Sequence, residues 1–210
     1  MRNKKVTNLV VFSALLAIEI IIAFTPFGSI PIGPIVATLG HIPVIIAAIT
    51  MGTGAGVLMG FFFGLLSLIY FTFIAPSPVS MLFSPFISIG EYQGNFYSLI
   101  IVFVPRILVG FVCGKSLKFF KKVFTEKKKY IAYLISGVLA TLTNTFLVLG
   151  GIYVFFGVQY ATLINQPYAV LLGFLGLTVL TQGVPESIIG ALCARFIGQP
   201  LERMISREDL

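Results

Sequence analysis

Long apolar runs, broken by short turn-rich segments, dominate the chain. A helix that crosses a bilayer needs about 20 mostly apolar residues. Six stretches approach that length: 6–24, 35–51, 55–74, 96–114, 130–156 and 179–197. The second is the weakest, because His41 and Pro43 interrupt it. The fifth is long enough to span with tilt. The last apolar region begins at Tyr168, and its first part is expected to pack at or near the outer surface. The first stretch lacks the short apolar core and small-residue cleavage site of a signal peptide. The pattern predicts an all-α integral membrane protein of six transmembrane helices, with residues 1–210 forming one domain.

Charge placement tests that count. Arg2, Lys4 and Lys5 precede the first stretch; Lys115, Lys118, Lys121, Lys122, Lys127, Lys128 and Lys129 follow the fourth. Arg195, Arg203 and Arg207 close the chain. The connections 25–34, 75–95 and 157–167 contain no Lys or Arg. By the positive-inside rule, both termini and the 115–129 loop are cytoplasmic, as six spans require. The outward connection 75–95 mixes apolar residues with Glu91, Tyr92, Gln93 and Asn95. Such a segment reads as a lid that packs on something, against the alternative of an inert outer loop.

Composition narrows the function classes. Of 210 residues, 58% are hydrophobic and only 10% charged, and the mean hydropathy is +1.04. A water-soluble globule of this size has no interior for so much apolar surface. A soluble enzyme and a nucleic-acid binder are excluded, and the net charge of +7 belongs to membrane orientation. Lipid is the surrounding partner, and a multi-pass place in a cell membrane is expected. Cys113 and Cys193 lie in apolar runs, which argues against a disulfide scaffold.

Ionisable groups inside spans are costly and face protein. Here they are Glu19, His41, Arg106 and Glu186. Arg106 follows Pro105 in FVPRILVGF, half-way along its helix. The proline removes one helical donor and frees the carbonyl a turn earlier. Two readings of Arg106 stand open: a counter-ion for an anionic ligand, or a permanent structural pair with Glu186 or Glu19. Asn144, flanked by Thr141, Thr143 and Thr145, is either helix glue or part of a cavity lining. His41, the single histidine, is expected to start a helix as a hydrogen-bonded group; no accompanying ligand set suggests a metal.

Small residues mark packing faces. Gly52, Gly56, Gly60 and Gly64 recur every four residues; Gly190, Ala194 and Gly198 repeat the spacing, and Ser13 with Ala17 forms a shorter pair. Each is an internal seam or a docking surface. No phosphate-binding GxxxxGK[ST] loop, HExxH or Ser/His/Asp set is present, so neither ATP hydrolysis nor other enzyme chemistry is expected, and no cofactor or metal.

In order along the chain stand IPIGPIVATLGHIPVIIAAI, the glycine-spaced third helix, SPF…GN…SLIIVFVPRILVG, ATLTNTFLVLGGIYVFFG and an ALC after the Glu of the last helix. In this order the sequence resembles the substrate-specific S components of energy-coupling factor (ECF) vitamin transporters over nearly its whole length. The resemblance implies a protein that captures a vitamin outside and docks with a transmembrane coupling subunit carrying two ATP-binding cassette ATPases. It also implies a docking signature of two small residues in helix one, here Ser13 and Ala17, where the family has two alanines. Among S components the pattern looks most like those for pantothenate, which has one carboxylate, two hydroxyls and an amide. A site for it wants one cation among neutral hydrogen-bonding groups, and the candidates are Arg106 with Tyr92, Gln93, Asn95, Asn144 and Asn165. Riboflavin or a pyridoxine- or pyrimidine-type vitamin is the alternative substrate class; a ligand-free scaffold is the more remote one.

Overall fold

The computed structural model describes residues 4–25, 29–32 and 35–207. Arg2 and positions 26–28 and 33–34 of the connection 25–34 lie outside the described residues. Helices α1 (Lys4–Phe24), α3 (Thr53–Ile69), α4 (Phe96–Val123) and α5 (Lys129–Leu163) agree with the apolar runs. Five helical stretches among the described residues are long and apolar enough to cross a membrane.

The second stretch departs from expectation. Residues Ile35–Thr38 form strand β2, paired antiparallel with β1 (Ser29–Ile32), and only His41–Thr50 is helical, as α2. Ten residues reach about 15 Å, half of a hydrocarbon core of about 30 Å. Local preference allows this and the partner strand settles it. Ile35, Val36 and Thr38 are β-branched and favour extended backbone, and Gly40 precedes the helix. What α2 lacks in length it has in burial, since eight of its ten residues are buried, His41 among them.

Two further boundaries move. Helix α4 continues to Val123, so Lys115, Lys118, Lys121 and Lys122 ride on its last turns and not in a loop. The chain from Tyr168 to Arg207 is one helical path: α6 (Tyr168–Thr178), a π-helical turn Val179–Gly183, α7 (Val184–Cys193), a second π turn Ala194–Gly198 and α8 (Gln199–Arg207). The segment before 179 is therefore continuous with the last helix.

The glycine seams lie inside the bundle. Gly56 and Gly64 of α3 pack on Gly110 and on Val102 and Phe103 of α4, and Gly60 packs on the Arg106 backbone. Gly52 is outside this seam: it precedes α3 with φ +93 and has open space where a Cβ would stand. Gly137 of α5 packs on Gly190 and Ala191 of α7, while Gly198 meets Ile49 of α2. Small residues let the backbones approach, so van der Waals packing replaces the hydrophobic drive that lipid cannot supply.

Polar contacts close the lysine-rich end. Lys121 Nζ donates to both carboxylate oxygens of Glu202 on α8, each at 2.6 Å, and the Tyr133 hydroxyl donates to Glu202 Oε2 at 2.6 Å. One carboxylate thus ties α4, α5 and α8 together.

Candidate functional site around Arg106

Connection 75–95 is a packed lid, as its composition suggested. Ser77 caps a short 3-10 turn, Pro78–Leu82, and Met81 and Leu82 are buried with Ile101 of α4 and Ile152 and Phe156 of α5. A two-residue hairpin follows, β3 (Ser88–Ile89) with β4 (Tyr92–Gln93). The Ser98 hydroxyl on α4 donates to the Met81 carbonyl at 2.6 Å, pinning lid to helix.

Beneath the lid lies Arg106, ten residues and about 15 Å into α4, and only 7% exposed. Its Nη1 donates to the Ile101 carbonyl at 2.6 Å. In an unbroken helix that carbonyl would accept the N–H of residue 105; Pro105 has none, so an acceptor stands open one turn back. The guanidinium carbon lies 5.5 Å from the ring centre of Phe63 on α3 and 5.3 Å from that of Phe83 in the lid. Nε has no hydrogen-bond partner.

Magnitudes show why this charge is tolerated. Placing Arg at mid-membrane costs about 2.5–3.5 kcal/mol on insertion scales. A hydrogen bond to a charged group is worth about 1.5–3 kcal/mol, and each desolvated cation–π contact about 0.5–2 kcal/mol. The carbonyl and the two rings together offset a cost of that size, while the buried Nε stays unsatisfied. Glu19, the other partner considered for a permanent pair, is fully buried on α1, and neither of its oxygens accepts a hydrogen bond. The Arg106–Glu19 pair is therefore not formed.

The remaining candidates occupy varied positions. Tyr92 packs against the buried cluster of Met81, Leu82, Ile101, Ile152 and Phe156. Gln93 is exposed in β4. Asn95 is the N-cap of α4: its Oδ1 accepts from the Tyr97 N–H at 2.9 Å, and the Asn95 N–H donates to Ser98 Oγ at 3.3 Å. Asn165 sits beyond α5 with φ 53 and is exposed; its left-handed backbone is a common way to end a helix. Asn144 is buried on α5 with an unpartnered Oδ1. Its neighbours Thr141 and Thr145 face Gly190 and Gly183 of the last helical path. Phe63, Phe83 and the Ile101 carbonyl were not legible as site members, although Pro105 signalled that some carbonyl would be free.

On α1, Ser13 and Ala17 are exposed, flanked by exposed Leu9, Val10, Ile18 and Ile21. Unlike the glycine seams, this small pair faces away from the bundle.

Comparisons with known proteins agree on one family. A family model described as "ECF transporter, substrate-specific component" matches residues 7–197. The pantothenic acid transporter PanT of Lactococcus lactis subsp. cremoris is 33% identical over 195 residues, covering 91% of this chain and 92% of that protein. The pantothenate transporter PanT of Leuconostoc mesenteroides subsp. mesenteroides is 29% identical over 217 residues, covering 100% and 99%. Among solved structures, the S-component for biotin from an ECF-type ABC transporter superposes with a TM-score of 0.55 at 19% identity, covering 95% of each chain. That last likeness speaks for the fold alone.

Proposed function

Since the chain belongs to the substrate-specific components of ECF transporters, we propose that it captures pantothenate from outside the bacterial plasma membrane and delivers it inward. Arg106 carries this reading. A buried guanidinium with a free Nε suits a ligand with a single carboxylate, and the relatives named for pantothenate support that choice. Charged pairing supplies the carboxylate end. Tyr92, Gln93, Asn95, Asn144 and Asn165 are the neutral groups proposed for the hydroxyls and the amide. Among these, Asn144 is buried with an unpartnered Oδ1. Asn95 already spends its side-chain oxygen on the helix start, and Gln93 and Asn165 are exposed.

The proposed orientation places the lysine-rich end and both termini in the cytoplasm and the lid outside, with α2 and its hairpin filling the place of a sixth span. Energy comes from partners: a transmembrane coupling subunit and two ATP-binding cassette ATPases. The exposed Ser13–Ala17 face of α1 is the proposed contact for the coupling subunit.

Equilibrium binding to the purified protein tests the ligand. Pantothenate should bind well and its uncharged alcohol analogue poorly. Arg106→Ala should weaken pantothenate binding by about 2–5 kcal/mol, the cost of stranding one member of a buried charge pair, and should cost the alcohol far less. Equal losses for acid and alcohol would remove Arg106 from the site.

A further inference from the structure

From the contact between Arg106 Nη1 and the Ile101 carbonyl we infer that Pro105 is a positioning residue for the ligand carboxylate, acting through Arg106. The inference rests on the carboxylate reading above and extends it to a residue that touches no ligand.

An ordinary helical carbonyl is engaged by the N–H four residues on. At Ile101 that donor is missing, because residue 105 is proline, and α4 nonetheless runs unbroken from Phe96 to Val123. Freed backbone groups in membrane helices are re-satisfied by nearby side chains. Here the side chain is that of the very next residue, at 2.6 Å.

The contact has a geometric consequence. A long arginine side chain has many rotamers and loses considerable freedom when fixed. Holding Nη1 on a rigid helical carbonyl keeps the guanidinium within reach of the rings of Phe63 and Phe83. It also consumes only one edge of the fork. Nε remains buried without an acceptor, and such an unsatisfied donor in a native structure calls for an explanation. An incoming carboxylate supplies one. The donor is oriented before the ligand arrives, so less is lost on binding.

Pro105→Ala tests this. Alanine returns the N–H to Ile101, which then has its usual helical partner and releases Arg106. Alanine is also the better helix former, so the fold should persist. Pro105→Ser returns the same N–H and serves as the second variant. Affinities for pantothenate and for its uncharged alcohol are measured on both, together with thermal unfolding and the Arg106→Ala protein.

Both proline variants should lose roughly tenfold in pantothenate affinity, about 1.4 kcal/mol, with the alcohol changed by no more than about twofold. A proline that merely shapes the helix would move both ligands together, so unchanged acid-over-alcohol selectivity overturns the inference whatever the unfolding temperature does. Failure of both variants to fold overturns it as well, because a proline needed only to free a carbonyl is replaceable. If Arg106→Ala keeps the preference for the acid, the carboxylate reading itself falls; if it loses that preference while the proline variants keep it, only the role of Pro105 falls.

Discussion

Gly60 of α3 lies directly on the backbone of Arg106 in α4: a side-chain carbon at position 60 would overlap the Arg106 carbonyl oxygen. The helix that carries the buried cation is therefore held by the glycine seam. Gly56 and Gly64, one turn to either side, extend the same contact. Positioning of Arg106 depends on this seam as well as on its own hydrogen bond.

Gly60→Ala should destabilise the protein by about 1–3 kcal/mol, the usual cost of overpacking a tight interior contact. Gly173→Ala, on α6 with open space at its Cβ, should not. Thermal unfolding of the two detergent-purified variants measures the difference. Equal stability of both would mean that the α3–α4 approach is looser than described.

Asn95 separates helix capping from ligand contact. Asn95→Ala should cost about 0.5–2 kcal/mol of stability through loss of the N-cap. Asn95→Ser, which keeps a capping oxygen, should restore most of it. If serine also restores pantothenate affinity, the residue acts through the start of α4. Restored stability with affinity still lost would place the Asn95 side chain on the ligand.

Ala17 is exposed on α1, so Ala17→Leu should fold and bind pantothenate like the parent protein. Recovery of the complex with the coupling subunit, and uptake by cells, should fall sharply, because a bulky side chain separates backbones that small residues bring together. Unimpaired recovery and uptake would move the docking face elsewhere.

Orientation is open to labelling. Cysteines introduced at Glu91 and Thr162, both exposed, should react in intact cells with a membrane-impermeant maleimide. One at Lys127, exposed at the lysine-rich end, should react only after permeabilisation. The reverse pattern would invert the proposed topology. Cys113 is buried, and Cys193→Ser in the parent protein removes background from the half-buried second thiol.

The sequence by itself determined the solvent, the helical class, the charge-poor and charge-rich connections, and the existence of one costly cation beside a proline. These are local properties: hydropathy over a 20-residue window, charge between windows, and the missing N–H of Pro105 are all read without knowing what lies across the bundle. It also suggested that residues 75–95 pack on something, since apolar and polar residues mix there unlike in a solvated linker. Tertiary structure decided the rest. A run of apolar residues at 35–51 does not announce that its first four pair as a strand and only His41–Thr50 is helical, because β-branched residues suit either state and the partner strand settles it. The identical four-residue spacing of small residues became an internal seam at Gly56–Gly64 and an exposed face at Ser13–Ala17, a difference that depends on which helix stands opposite. Arg106 shows the same division. Its need for an acceptor follows from burial alone, but Phe63 and Phe83 are far from it along the chain, and only the approach of α3 and the lid brings their rings to the guanidinium.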